Sequence, residues 1–418
     1  MISFEQAQQA VLSRCKILTA ETVALSDVLH RVLAEDIYSP ENLPPFNNTA
    51  MDGFALMCNG SPMAAGTECD VTGWQAAGDG IVRCKSGACE IMTGALMPPG
   101  FDSIVPIEQV TVLARDDSSR PTRVRLQAEV SPGQHVRLQG QDVAAGQLLL
   151  GKGNRIGIAA RMLLAAVGIS RMAVMPQARI AVLTTGRELI SDPEQALQPG
   201  QIRNSNGPYL ADRLHAMGAQ LCLQESVPDD VEHFQLALQR SMDVGAQIVI
   251  STGAVSMGRY DFVPDTLAHI GAEIIFHKVA MRPGKPLLFA VLPNGALYFG
   301  LPGNPISSAV GLRFFVEPAL RAMQGMPMEQ SLTAPLMHAA DKKTDFRLLQ
   351  KARVALDAQG QLHVELLAGQ ESFRIKPLLA ANAWAVLPET TEHFPIGSYI
   401  ELFGLDANGI TLSTDGIS

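Results

Sequence analysis

Basic charge is in short supply in this chain of 418 residues, where 32 Lys and Arg stand against 41 Asp and Glu. The net charge is −9 and the isoelectric point about 5.5. Nucleic acid and anionic membranes both demand a basic face, so neither is expected as a partner. Long apolar runs are missing too. The most apolar helix-like segment, IGIAARMLLAAVGI, is interrupted by Arg161 and falls short of the roughly 20 residues that cross a bilayer. The opening MISFEQAQQAVLSRC is amphipathic, with no basic stretch leading into an apolar one, so no secretory signal is expected and the chain reads as cytoplasmic. The six cysteines (Cys15, Cys58, Cys69, Cys84, Cys89 and Cys222) include no CxxC pair and no zinc-type spacing with His. Reduced thiols are therefore expected. Histidine is sparse and none sits in a recognisable nucleophile motif, which argues against Ser-His-Asp chemistry.

What remains is an ordinary globular balance, 47% hydrophobic and 17% charged, in a chain too long for one core. Residues 1 to about 45 read as helical, ending at ENLPPFNN, where prolines stop the helix. From about 50 to 140, short β-like runs and Gly turns suggest a small β domain. A Gly-rich link then returns to the helix IAARMLLAAVG. From about 175 to 325, apolar strands such as RIAVLTTG alternate with helices such as NGPYLADRLHAMGA and DDVEHFQLALQRSMDVG. That alternation predicts a doubly wound, mostly parallel sheet with ligands at the carboxyl ends of its strands. The last ninety residues lose helical periodicity and read as short strands.

The densest stretch runs from Lys278 to Ser307, KVAMRPGKPLLFAVLPNGALYFGLPGNPIS. Two β-type runs form a hairpin flanked by the rigid turns RPGKP and LPGNPIS. Arg282 and Lys285 place two cations on the first turn. The second leads into a helix expected to begin near Pro305, whose N-terminal N–H groups favour anions. An oxyanion or phosphate pocket follows from that reading; a plain hairpin with a Pro-initiated helix is the alternative. Acidic residues recur where strands should end: Glu188, Asp229 with Asp230, and Asp261. Converging, they would hold Mg²⁺ against a phosphate; singly, each can serve as a helix cap. The loop STGAVSMG, with Ser256, has the small residues and hydroxyls that cradle phosphate, but no Gly-Lys-Ser/Thr follows. Asp52, Thr93, Arg137 and Asp142 sit in polar turns of the N-terminal half and read, on residues alone, as turn and surface positions.

Taken in order, PPFNNTAMDGFAL, EIMTGALMP, PGQHVRLQGQDV, RIAVLTTGREL, GQIRNSN, STGAVSMGRYDF, KVAMRPGKPLLFA and GLPGNPISS resemble the molybdopterin molybdenumtransferase family, the MoeA proteins and gephyrin E-domains. The resemblance spans nearly the whole chain. It implies a multidomain α/β subunit: a mixed helical domain (1–45 plus 141–174), an inserted β domain (46–140), a MogA-like molybdopterin-binding α/β/α domain (175–327) and a C-terminal β barrel (328–418). It implies a homodimer and the insertion of molybdate into adenylylated molybdopterin, with release of AMP and Mg²⁺ as helper. Contacts with a molybdopterin adenylyltransferase and with receiving molybdoenzymes are implied as well. Catalytic roles fall on Asp52, Thr93, Asp142, Glu188 and Asp261, with Glu188 and Asp261 on the metal. Substrate-binding roles fall on Arg137, Asp229, Ser256, Lys278, Arg282, Lys285, Pro286, Pro302, Pro305, Ser307 and Ser372.

The chain departs from the family pattern at several places. Arg187 stands where an Asp precedes the Glu of the TTG loop, Ala254 where a third-strand Gly is usual, and Glu90 where an Arg precedes IMTG. In KTDFRL, Lys343 and Leu348 occupy two arginine positions, with Arg347 one place away. These changes set a second reading beside the enzyme: a divergent paralogue that binds pterin or scaffolds partners without efficient insertion.

Overall fold

A computed structural model describes residues 1–81, 84, 86–254, 262–342, 345–406 and 409–412. Ser256, Asp261 and Lys343 lie outside the described residues. The chain divides into two units, one formed by residues 1–21, 30–34 and 173–418 and the other by 22–29 and 35–172.

The first unit begins with helix α1, Phe4–Leu12, whose start is fixed by a capping box between Ser3 and Gln6. Its centre is a six-stranded sheet. The strands are β1 Arg179–Thr185, β2 Gln220–Val227, β3 Ile248–Thr252, β4 Glu273–His277, β5 Leu288–Val291 and β6 Leu297–Leu301, in the order β2-β1-β3-β6-β5-β4. β2, β1, β3 and β6 are mutually parallel, and β5 runs antiparallel to both β6 and β4. Ile180–Leu183 and Ile248–Ile250 are buried throughout, which is why they read as unbroken apolar runs rather than alternating ones. Helices α2 Asn206–Ala216, α3 Val231–Asp243 and α4 Val263–His269 connect the strands. Helix α5, Pro305–Gly311, follows β6 and continues through a π-helical turn into Glu317–Met323. Two apolar clusters, one around Phe289, Phe299 and Phe315 and the other around Phe234 and Tyr298, fill the layers between sheet and helices.

Five C-terminal strands and Met281–Arg282 form a six-stranded half-barrel sheet with its own cluster around Val354, Ala385 and Leu402. Its longest strand, Arg347–Leu356, pairs in parallel with Met281–Arg282, so the RPGKP turn is tied to this sheet.

The second unit carries a six-stranded sheet built from Gly53–Leu56, Glu68–Gln75, Ala88–Ile91, Ser103–Pro106, Val110–Arg115 and Pro121–Leu126, and a helix at Ile158–Ala166. Among the described residues no helix is long and apolar enough to cross a membrane.

Two expectations are corrected. Residues 1–45 are not largely helical: after Leu12 they give short strands, with Val32–Leu33 paired to Val174–Met175 and Ile37–Tyr38 to Leu148–Leu150. Their partners lie more than a hundred residues away, and burial against them overrides local propensity. The cysteines are also not all free. Cys84 and Cys89 are bonded across a Cα–Cα distance of 6.3 Å, while Cys58 and Cys69 are buried thiols and Cys15 and Cys222 half-buried ones.

Candidate functional site

At the carboxyl ends of β1, β3 and β6 lies a cleft of about 440 Å³. Thr185, Glu188, Asn206, Asp229, Thr252–Ala254, Pro286 and Pro302–Asn304 are among its lining residues. Two glycines at the strand ends leave no room for a side chain, Gly186 against Glu188 and Gly253 against Thr185, whereas Gly303 has ordinary contact space. Gly186 and Gly253 take positive φ of +151° and +92°, and a Cβ on Gly303 would stand 3.7 Å from the Gly253 Cα. Ala254 also sits in the left-handed region, at φ +51°, where the family's Gly would carry no side-chain penalty.

The strand ends are locked by short polar side chains. Thr185 Oγ1 donates to the Thr252 carbonyl at 3.0 Å, joining β1 to β3. Asn204 Nδ2 donates to Thr184 Oγ1 at 2.9 Å and to Ser226 Oγ at 3.2 Å, joining β1 to β2. Asn206 Nδ2 reaches the Gly303 carbonyl at 2.8 Å and ties the start of α2 to the LPGNP turn. The sequence reading assigns no role to Thr185, Asn204 or Asn206. The signal for the asparagines is the GQIRNSN segment, two amides placed at a helix start.

The two aspartates after β2 separate by role. Asp230 caps α3, its carboxylate accepting the His233 N–H at 2.9 Å. Asp229 accepts the Arg187 N–H at 3.3 Å and faces the cleft with Glu188. Capping therefore accounts for Asp230 and not for Asp229. Among the described residues no three His, Cys, Asp or Glu side chains form a metal cluster.

Ahead of the RPGKP turn, Lys278 adopts φ +77°, and the Val279 N–H donates to the Lys285 carbonyl at 3.0 Å. Lys278 is half-buried; Arg282 and Lys285 are exposed, and the Lys285 ammonium lies 5.1 Å from the Phe346 ring centroid. Pro286 and Pro302 line the cleft; Lys278, Arg282, Lys285, Ser307 and Ser372 are not among its lining residues. The helix start after Pro305 is not an open anion site, because the Ile306 N–H donates to the Ser372 carbonyl at 3.0 Å. Ser307 is buried on this first turn.

Arg347 does not stand in for the missing arginines. It pairs with Glu5 and, at 3.0 Å, with Glu389, and lies over the Phe4 ring. Leu348 is buried in the C-terminal core.

In the second unit, Asp52 Oδ1 accepts both the Thr93 hydroxyl and the Thr93 backbone N–H at 2.6 Å. Those two bonds, the hydroxyl's first, hold the Asp52 carboxyl below the ordinary carboxylate range. Arg137 pairs with Asn48 across Val136–Arg137 and Asn48–Thr49, and the Asp142 N–H donates to the Leu43 carbonyl at 3.0 Å. Arg137 and Asp142 are both exposed. Glu90 is half-buried in strand Ala88–Ile91.

Residues 2–168 match the family model described as MoeA N-terminal region (domain I and II), and residues 181–322 the one described as probable molybdopterin binding domain. A molybdopterin molybdenumtransferase of Synechococcus elongatus is 35% identical over 395 residues, 93% of this chain and 95% of its own. One from Staphylococcus aureus is 31% identical, covering 96% of this chain and 95% of its own. The crystal structure of a molybdopterin biosynthesis MoeA protein from Pyrococcus horikosii, 27% identical, superposes with a TM-score of 0.79 over 97% of this chain and 99% of that one. Two family models that together span most of the chain agree with identity sustained over nearly its full length, and the chain belongs to the molybdopterin molybdenumtransferase family.

Proposed function

We propose that this protein inserts molybdate into adenylylated molybdopterin and releases AMP, a step in building the molybdenum cofactor. The observation that carries this reading is the cleft at the strand carboxyl ends, with Glu188, Asp229 and Pro302–Asn304 all among its lining residues. Acidic side chains among small residues suit a phosphoanhydride held through a cation, whereas a tetrahedral dianion calls for cations and N–H donors. In this reading Lys278, Arg282 and Lys285, with Pro286, Ser307 and Ser372, serve the molybdate. Asp229, with Ser256, serves the pterin phosphate.

Mg²⁺ fits the donor set, since it commonly takes one or two carboxylates and completes its shell with water and substrate phosphate. Glu188 lines the cleft as one carboxylate for the ion, and Asp261, outside the described residues, is the second in the same proposal. When bound, the ion supplies neutralisation of charge on the departing AMP. The protein's own part is to fix the strand-end loops through Thr185, Asn204 and Asn206, so that the carboxylates meet the substrate with little reorganisation. A homodimer belongs to the proposal too, with Asp52, Thr93, Arg137 and Asp142 acting from a second copy. So do the four-domain division, cytoplasmic residence, and contacts with an adenylyltransferase and with receiving molybdoenzymes.

The test is AMP release by Glu188→Gln and Asp229→Asn. Each should lower kcat by about a hundredfold or more while molybdate still binds. Wild-type AMP release from both variants would overturn the assignment.

A further inference from the structure

Lys351 sits on strand Arg347–Leu356 and is fully buried. A buried ammonium needs partners for its three donors. Its Nζ donates to the carbonyls of Gly369 at 2.7 Å and Arg374 at 3.1 Å, and lies 3.5 Å from that of Glu371. All three belong to one short loop. Gln370 supplies a second anchor: its side chain accepts the Lys351 N–H at 2.9 Å and donates to the Lys351 and Leu367 carbonyls at 2.8 and 2.7 Å. While these carbonyls point to Lys351, that of Ser372, in the same loop, takes the Ile306 N–H. The chain of contacts therefore runs from a buried cation, through loop 369–374, to the first turn of α5, which follows directly on the Pro302–Asn304 wall of the cleft.

We propose that Lys351 is a positioning residue for the molybdate end of the site. It acts through the loop, since it is not itself among the residues lining the cleft. Its ammonium gathers the loop carbonyls, and the gathered loop keeps Ser372 on Ile306 and the LPGNP turn in its bound-ready shape. This rests on the insertion reading above. A loss of Lys351 frees the loop that carries Ser372, read above as serving molybdate, whereas Glu188 and Asp229 belong to other loops of the cleft. The two substrates should therefore respond differently.

The test uses the full chain. Lys351→Met should raise the KM for molybdate about tenfold or more while the KM for adenylylated molybdopterin stays within about twofold. Hydrogen exchange should accelerate across 369–374 and at Ile306. Lys351→Arg, which can still donate to several carbonyls, should recover most of the molybdate affinity. A uniform loss of kcat with both KM values unchanged, or equal rises in both, would overturn the proposal and leave Lys351 a packing residue. Should Lys351→Met not accumulate folded, Gln370→Leu removes the second anchor without stripping a buried charge. It must show the same split to a smaller extent, and an unchanged molybdate KM there would also overturn the proposal. If the wild type binds molybdate yet releases no AMP, the insertion reading has failed. Lys351 is then judged on equilibrium molybdate binding alone, weakened by Lys351→Met if the proposal holds and unchanged if it does not.

Discussion

Gly253 and Ala254 are neighbours in the left-handed region, and opposite substitutions there should differ sharply in cost. A Cβ on Gly253 would stand 2.6 Å from Thr185 Oγ1 and 2.8 Å from the Thr185 carbonyl oxygen, the latter immovable without shifting β1. A side chain at such φ costs about 1–2 kcal/mol, and forcing a methyl against backbone about 1–3 kcal/mol. Reduced entropy of the unfolded chain returns about 0.4–1 kcal/mol. Gly253→Ala should therefore destabilise by roughly 2–4 kcal/mol and disturb the Thr185–Thr252 bond that joins β1 to β3. Ala254→Gly removes about 1–2 kcal/mol of backbone penalty. It gives back about 0.5–1 kcal/mol in entropy and at most ~0.8 kcal/mol for a methyl packed against the second core cluster. The result should lie within about 1 kcal/mol of wild type. Urea unfolding followed by circular dichroism, with parallel KM measurements, separates the two. A Gly253→Ala variant within about 0.5 kcal/mol of wild type, or an Ala254→Gly variant losing more than about 2 kcal/mol, would refute the reasoning.

Thr93→Val removes the stronger of the two bonds that hold the Asp52 carboxyl down, so its titration should move up toward the ordinary range. A carboxyl held low stabilises the fold above its unfolded value and loses that contribution as pH falls through its folded one. The gap between wild type and variant should accordingly close in acid. A carbon-detected NMR titration of Asp52 reads this directly, and an unmoved midpoint would contradict it. Glu317 is wholly buried, ion-paired to Arg213, with Arg313 Nη1 3.4 Å away. Arg213 keeps Asp406 at 3.3 Å and Arg313 keeps Glu329 at 2.6 Å, so Glu317→Gln removes the shared carboxylate without leaving either guanidinium unpaired and should cost about 1–3 kcal/mol in chemical denaturation; no measurable loss would count against it.

How much of this could be read from residues depends on how local each determinant is. β1 announces itself as RIAVLTT because both its faces are buried, and the β5–β6 hairpin because two apolar runs flank PNG. β4 escapes notice: EIIFH starts with Glu273, is half exposed at the sheet edge, and pairs only with β5. Residues 13–45 read as helix because their strand partners lie far along the chain. The same holds at the site. Glu188 and Asp229 follow strand ends that the pattern already marks, whereas the Asn206–Gly303 bond spans 97 residues. The Ser372 carbonyl that occupies the helix start is likewise remote in sequence from Ile306. Arg347 looks free to replace a neighbour until folding brings Glu5 and Glu389 to it.

The central claim is that phosphoanhydride cleavage and molybdate capture occur in one site. Its most direct measurement is a single turnover of the purified protein with adenylylated molybdopterin, Mg²⁺ and molybdate, counting AMP released and molybdenum incorporated. The account predicts equal amounts of the two, and failure of both when Mg²⁺ is chelated. Tight pterin binding with no AMP released, or AMP released with no molybdenum taken up, would contradict it.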